Sequence, residues 1–194
     1  MGKVVHLSKV KDFIRMTPVF RVRDVEIIVG DKGYASLLLH NLACKGEVSR
    51  VARGWYSART DPTFAVMAFM PAYLGLEEAL SLHRLWDQAT NPVIVTPSRV
   101  RPGLRESMGG RIVVHRIEER YFFGYDYLEY EGAALPVSDI EKTLIDLVYF
   151  GVSPGREFVR SALKQSDREK LRKYLQKYEV PTRKKLASGG LLGP

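Results

Sequence analysis

The sequence predicts an α+β chain in two parts: a small helical module closed by a two-stranded hairpin, then a larger mixed α/β domain. Apolar residues recur at helical spacing three times before Gly46. A short alternating run with Arg53-Gly54 at its turn follows directly. Beyond Asp61 the period switches from helix to strand and back to helix, which a single small module does not need.

The first helix is expected from Val5 to about Met16. Val5, Leu7, Val10, Phe13 and Ile14 return on one side, with Lys9, Lys11 and Asp12 between them. Thr17-Pro18 ends it, because proline disfavours a helical residue before it. A second helix is expected from Val22 to Val29, turning Val25, Ile28 and Val29 inward. Gly30-Asp31-Lys32-Gly33 makes a turn, and a third helix runs from Tyr34 to Lys45 with Ala35, Leu38, Leu39 and Leu42 as its apolar stripe. Gly46 stops it, as a glycine just past a helix end can take the left-handed conformation. In EVSRVARGWYSAR, Val48 and Val51, then Trp55, alternate around a tight turn tipped by Arg53. Three short helices and then a hairpin is the order of a winged helix-turn-helix. There the third helix enters the major groove and the wing lies along the backbone or in the minor groove.

Asp61-Pro62 opens the second part, with Asp61 as cap and Pro62 in the first helical position. A helix is expected from Leu74 to Leu85, strands over Pro92–Thr96 and Arg111–Ile117, and one or two aromatic strands over Tyr121–Tyr130. Ser138 followed by Glu141 reads as a capping box for a helix to about Phe150, with Ile140, Leu144, Leu147 and Val148 buried. Two more helices follow at Gly155–Lys164 and Asp167–Tyr178, then an aperiodic tail from Pro181. The expected division is a DNA-binding domain over 1–60, an α/β domain over 61–180 and a basic, flexible tail over 181–194.

Hydrophobic residues are 45% and charged residues 27% of the 194, the balance of a globular chain. The net charge of +8 is unevenly spread. Residues 1–60 hold 11 Lys/Arg against 5 Asp/Glu, residues 61–163 hold 10 against 14, and residues 164–194 hold 9 against 3. A basic head and a basic tail suit a polyanionic partner. One cysteine, Cys44, allows neither an internal disulfide nor a cysteine metal cluster. The start, MGKVVHLSKVKDFI, is charged every few residues and does not read as a signal peptide. No window approaches ~18 uninterrupted apolar residues, so a cytoplasmic, membrane-free protein is expected.

Lys32, Tyr34, Ser36, His40 and Asn41, on or before the third helix, are the candidates for base edges. Arg50 and Arg53 are the candidates for the wing's contact with phosphate or the minor groove. Lys9, Lys11, Arg21 and Arg23, and distally Lys173, Arg183, Lys184 and Lys185, are candidate auxiliary nucleic-acid contacts. The plain alternative for each is a solvated basic surface. Trp55 and Tyr56 read as core cover where the wing meets the second domain, and the aromatic run from Tyr121 as sheet core. Cys44 reads as a small packed residue. His6, His40, His83 and His115 are isolated, with no partner at metal-ligand spacing, and His83 reads as packed or hydrogen-bonded locally. No metal, no cofactor and no catalytic residue is expected. The enzymatic alternative is a metal-dependent nuclease using acids among Asp126, Glu129, Glu131, Asp139 and Glu141 with Lys142; the non-enzymatic one is a protein-interaction module with non-specific DNA binding.

The stretch LACKGEVSRVARGWYSARTDPTFAVMAFMPAYLGLEEALSLHRLWDQ resembles the AbiEi family, the antitoxins of type IV toxin–antitoxin systems and their predicted transcriptional-regulator relatives. The likeness rests on Arg53-Gly54-Trp55-Tyr56, the Asp61-Pro62 segment, a helix with Tyr73, Leu74, Leu76, Ala79, Leu80, His83 and Leu85, and the later Asp139-Ile-Glu-Lys142 run. It covers roughly residues 5–180. The chain departs at Gly75, where a serine cap is common, and at Arg84, where glycine often follows the histidine. The resemblance implies a winged helix that represses its own promoter at operator repeats, and a C-terminal domain responsible for antitoxicity. It also implies a nucleotidyltransferase-like toxin, encoded nearby, as partner. Monomer and homodimer both stay open.

Overall fold

The computed structural model describes residues 2–152 and 155–186. The chain has a mixed α/β fold of the α+β kind. It divides into two compact units, one of 1–69 with 104–112, the other of 70–103 with 113–194. The boundary expected at 60/61 thus lies further along, and the first unit takes in a distant segment.

In the first unit, α1 (Gly2–Met16), α2 (Val22–Val29) and α3 (Lys32–Cys44) surround one core. That core holds Val10, Ile14, Phe20, Val25, Ala35, Leu38, Leu39, Leu42 and Val48. The apolar spacing named these inward faces, with Leu7, Phe13, Ile28 and Val29 partly buried against the core; the Val5 side chain lies outside the described residues. Asp24 Oδ2 accepts from the Arg21 amide at 2.7 Å and so ties down the start of α2. Gly46 has φ +72, and its amide and that of Glu47 reach back to Ala43 and Leu42 at 3.0 and 2.9 Å. This is the glycine stop expected for α3. Strands β1 (Phe20–Arg21), β2 (Ser49–Ala52) and β3 (Trp55–Ser57) form a sheet in the order β1-β3-β2. β1 has only two residues, too few to carry a period, and sequence reading passed over it.

Pro62–Phe69 is helical as expected but of the 3₁₀ kind, opened by Asp61 Oδ1 accepting from the Thr63 amide at 2.8 Å. It packs on β2 and buries Phe64, Ala65, Val66 and Phe69.

The second unit is built on β4 (Tyr73–Leu74), β5 (Val93–Thr96), the part of β7 (Gly110–Arg116) from Val113 on, β8 (Tyr125–Tyr130) and β9 (Ala133–Ser138). With β6 (Gly103–Ser107), the sheet order is β6-β7-β5-β4-β9-β8. β4 pairs antiparallel with β5 and parallel with β9, and β5 pairs parallel with β7. The expected helix from Leu74 is shorter, α4 (Leu76–Leu82). Tyr73 and Leu74 instead pair with Val95 and Ile94. Gly75 separates strand from helix, and a Cβ there would lie 2.9 Å from Val95 Cγ2.

α5 (Ile140–Phe150), α6 (Arg156–Gln165), α7 (Arg168–Gln176) and α8 (Val180–Leu186) complete the unit. Leu144, Ile145 and Leu147 of α5 join Ala162, Leu171, Leu175 and Tyr178 in its core. The capping residue of α5 is Asp139, not Ser138: its Oδ1 accepts from the Lys142 amide at 2.7 Å. Ser138 ends β9 and is buried, bonded to Thr143 Oγ1 at 2.7 Å and to the Leu74 carbonyl at 3.3 Å. Glu141 reaches away from the start of α5 and accepts from the Asp167 amide at 2.7 Å. The expected tail begins as helix α8; residues 187–194 lie outside the described residues.

Candidate nucleic-acid interface

Asp31 sets the start of α3: its Oδ1 accepts from the Tyr34 amide at 2.6 Å, as a capping carboxylate does. Burying Ala35, Leu38, Leu39 and Leu42 leaves the opposite side of the helix to solvent. Gly33, Ser36, Leu37, His40, Asn41 and Cys44 are exposed there, spaced three and four apart, so they form one continuous stripe. Lys32 is exposed at its beginning and Tyr34 is half-buried beside it. Cys44 is exposed rather than packed, its Sγ 3.6 Å from His40 Nε2 one turn earlier. Apolar Leu37, 56% exposed, stands within the stripe.

β2 and β3 pair Ser49 with Ser57, Arg50 with Tyr56 and Ala52 with Trp55, with an irregularity between Arg50 and Ala52. Arg53 is exposed at the tip, followed by Gly54 at φ +77, a conformation that favours glycine. Tyr56 stacks on Phe20 with centroids 6.5 Å apart and lies against the first unit's core. Trp55 carries the Arg21 guanidinium 4.2 Å above its ring, so that cation is already engaged. Lys11 is likewise occupied, paired with Glu47 at 2.6 Å, which holds the Glu47 carboxyl below its ordinary pKa. Lys9 and Arg23 are exposed on α1 and α2.

The third piece was not foreseen. Ser107 Oγ donates to the Val51 carbonyl at 3.0 Å, and the Met108 amide donates to the Arg50 carbonyl at 3.1 Å. These bonds meet the edge of β2 that β3 leaves open. An open groove of about 1010 Å³ runs along this junction, with Arg50, Arg53 and Arg111 among its lining residues. The sequence signal for the turn was Met108-Gly109-Gly110 between two strands, with Met108 and Gly109 both at positive φ (55° and 78°). Two such residues make a tight hairpin loop.

In the second unit, the Asp139, Glu141 and Lys142 side chains of the acid–lysine set are engaged by internal partners. Lys142 is wholly buried, ion-paired with Asp146 and donating to Tyr178 Oη at 3.0 Å. Tyr73 Oη donates to Asp146 Oδ2 at 2.7 Å. Burial pushes the Lys142 pKa down and the Asp146 pKa up, each against the opposing pull of its partner. Asp139 caps α5 and also meets Lys170 and Tyr174 at 3.0 and 2.8 Å, while Glu141 holds Lys170 at 3.2 Å. Asp126, Glu129 and Glu131 are exposed along or just after β8. Among the described residues no three His, Cys, Asp or Glu side chains group as metal ligands. His83 Nε2 is 2.7 Å from the Ser138 carbonyl. Lys173, Arg183 and Lys184 are exposed on α7 and α8; the Lys185 side chain lies outside the described residues. No helix among the described residues is long and apolar enough to cross a membrane.

No family model matches the chain, and no curated protein matches it. Among solved structures it is similar to the crystal structure of the Rv2827c protein from Mycobacterium tuberculosis. The TM-score is 0.61 at 15% identity, over 96% of this chain and 76% of that one. At that identity the likeness concerns the fold alone.

Proposed function

We propose that the chain is a sequence-specific, duplex-DNA-binding transcriptional regulator whose first unit acts as a winged helix-turn-helix. The observation that carries this reading is the stripe from Gly33 to Cys44 on α3. It is a continuous exposed face offering Ser36, His40 and Asn41, in the same unit as a hairpin tipped by exposed Arg53. Ser and Asn carry the donors and acceptors that read base edges in the major groove, and arginine at a hairpin tip suits phosphate or the minor groove. The basic balance of residues 1–60, 11 Lys/Arg against 5 Asp/Glu, supports a polyanionic partner.

The resemblance to AbiEi antitoxins extends the reading. The chain represses its own promoter at operator repeats, and its second unit answers a nucleotidyltransferase-like toxin encoded beside it, in the cytoplasm. The test is a gel shift with the full chain and a duplex from upstream of its own gene. A shift whose affinity falls steeply with salt, and exceeds that for unrelated duplexes, is expected, because Lys/Arg contacts release counterions. Equal affinity for unrelated duplexes at physiological salt removes the specificity. No shift at low salt removes the function.

A further inference from the structure

We propose that the Met108–Arg111 turn is a second DNA-contacting loop of the first unit, with Arg111 joining Arg50 and Arg53 in gripping the phosphate backbone of a bound duplex. The inference rests on the DNA-binding reading above and adds a segment that lies more than fifty residues beyond the hairpin it completes.

Three observations carry it. The turn is fixed to β2 by the Ser107 Oγ to Val51 carbonyl and Met108 amide to Arg50 carbonyl bonds, with Ser107 and Met108 both buried. Gly110 lies against Pro62, where a Cβ would come within 3.1 Å of the ring. Arg111 is therefore held on a secured turn rather than on a free loop. Next, Arg50, Arg53 and Arg111 are all exposed, and none is ion-paired with a described residue. They share one open groove with a single carboxylate, Glu106. Arg50 Nε donates to the neutral Ala52 carbonyl at 3.5 Å, which leaves its charge uncompensated. Three guanidinium charges against one acid leave the groove cationic, and a cation surplus on an open surface attracts polyanions. Finally, the three arginines come from three separate segments, β2, the β2–β3 tip and β7, that line one open groove of about 1010 Å³. The phosphates of a duplex recur along its backbone and can be met by several cations at once.

The edge contact has a structural role as well. An open strand edge is a template for unwanted pairing, and the turn covers that of β2. Arg111 itself is exposed and makes no part of that cover, so the two roles separate by mutation.

The experiment measures binding of full-length wild type, R111A, R111K and R53A to the upstream duplex between 0.05 and about 0.3 M salt. Thermal unfolding confirms that each variant is folded. R116A, altered on the same strand outside the groove, serves as control. R111A is expected to lose about fivefold in affinity near 0.15 M salt, for operator and unrelated duplexes alike, with the log–log salt slope reduced by about 0.9, the value of one phosphate contact. R111K keeps most of the affinity. If R111A matches wild type and R116A in affinity and slope while R53A is weakened, the second loop is wrong and the DNA-binding reading stands. If R111A changes preference among sequences instead of general affinity, the backbone assignment is wrong. Equal affinity of the wild type for a single strand of the same length overturns the duplex. If the wild type binds no duplex at all, the functional reading fails and takes this inference with it.

Discussion

Lys142 and Asp146 form an ion pair one helical turn apart in which both side chains are fully buried. Tyr73 from β4 donates to the carboxylate, and Tyr178, just past α7, accepts from the ammonium. One pair therefore ties strand β4 and the segment between α7 and α8 to α5. Taking two charges out of water is costly, and the Tyr73 and Tyr178 hydroxyls offset part of that cost by hydrogen-bonding the carboxylate and the ammonium. Removing one member strands the other. K142M or D146L alone is expected to cost about 3–5 kcal/mol, and the K142M/D146L double variant markedly less than the sum. Chemical denaturation of the four proteins measures this; additive single effects would show that the pair is not coupled.

Two positions at the ends of α4 make opposite predictions. Gly75 is closed in by Val95 Cγ2 at 2.9 Å and by the Tyr73 ring at 3.3 Å from a would-be Cβ. G75S is expected to lose about 1–3 kcal/mol, as overpacking of a full core does, even though serine is the better helix cap. Arg84 has φ +60 and follows the helix end, with its amide donating to the Ser81 carbonyl at 2.9 Å. Left-handed backbone costs a non-glycine residue about 1–2 kcal/mol. R84G is thus expected to raise the unfolding midpoint; a fall would mean that the arginine side chain contributes more than the strain removes.

How much of this was legible in the sequence depends on the range of the interaction. The helices of the first unit were, because Ala35, Leu38, Leu39 and Leu42 declare a face by spacing alone and Gly46 declares an end. β4 was absorbed into α4 because a two-residue strand carries no period and exists only by pairing with Val95, Ile94 and Val137. β6 was missed because Gly103–Ser107 is mostly exposed and shows no alternation, and β9 because Pro136 interrupts a short run. Ser138 and Asp139 are both good capping residues. Only the burial of Ser138 at the end of β9 decides between them. The arginine groove was hidden because its members are local to nothing: Arg53 and Arg111 share a surface only after the β6–β7 turn has found the edge of β2.

Acid should loosen the start of α7. Asp167 Oδ1 accepts from the Glu169 and Lys170 amides at 2.8 and 3.1 Å, and these bonds, Lys170 first, hold its carboxyl below the ordinary carboxylate pKa. A lowered folded-state value means that the native chain favours the ionised form. The stabilisation is complete above the unfolded value near 4 and is lost as pH falls through the lower folded value. D167N keeps the acceptor and removes the titration. The unfolding midpoint of wild type is expected to fall more steeply between pH 5 and about 2 than that of D167N. Parallel curves would remove Asp167 as a contributor. Glu47, lowered by its bond to Lys11, contributes in the same direction, so some acid sensitivity persists in D167N.

The division of labour within the first unit gives the last prediction. Arg53 sits at a hairpin tip next to Gly54; under the DNA-binding function proposed above, its guanidinium would meet sugar–phosphate, which is the same whatever the sequence. Ser36 and Asn41 lie on the exposed stripe of α3, and base edges differ in the donors and acceptors they offer such side chains. R53A is therefore expected to weaken binding to operator and unrelated duplexes by a similar factor and to lower the salt slope by about one phosphate's worth. S36A and N41A are expected to leave the salt slope alone and to change preference at one or two base pairs, by about 1–3 kcal/mol for each well-formed side chain–base pairing removed. Binding to a panel of single-base operator variants, repeated at two salt concentrations, separates the two patterns. D31A should resemble neither. Loss of the carboxylate that accepts from the Tyr34 amide frays the start of α3 at a cost of about 1 kcal/mol, lowering stability and specific binding together. If R53A alters base preference while N41A alters only the salt slope, helix and hairpin have exchanged roles, and α3 is not the element that reads sequence.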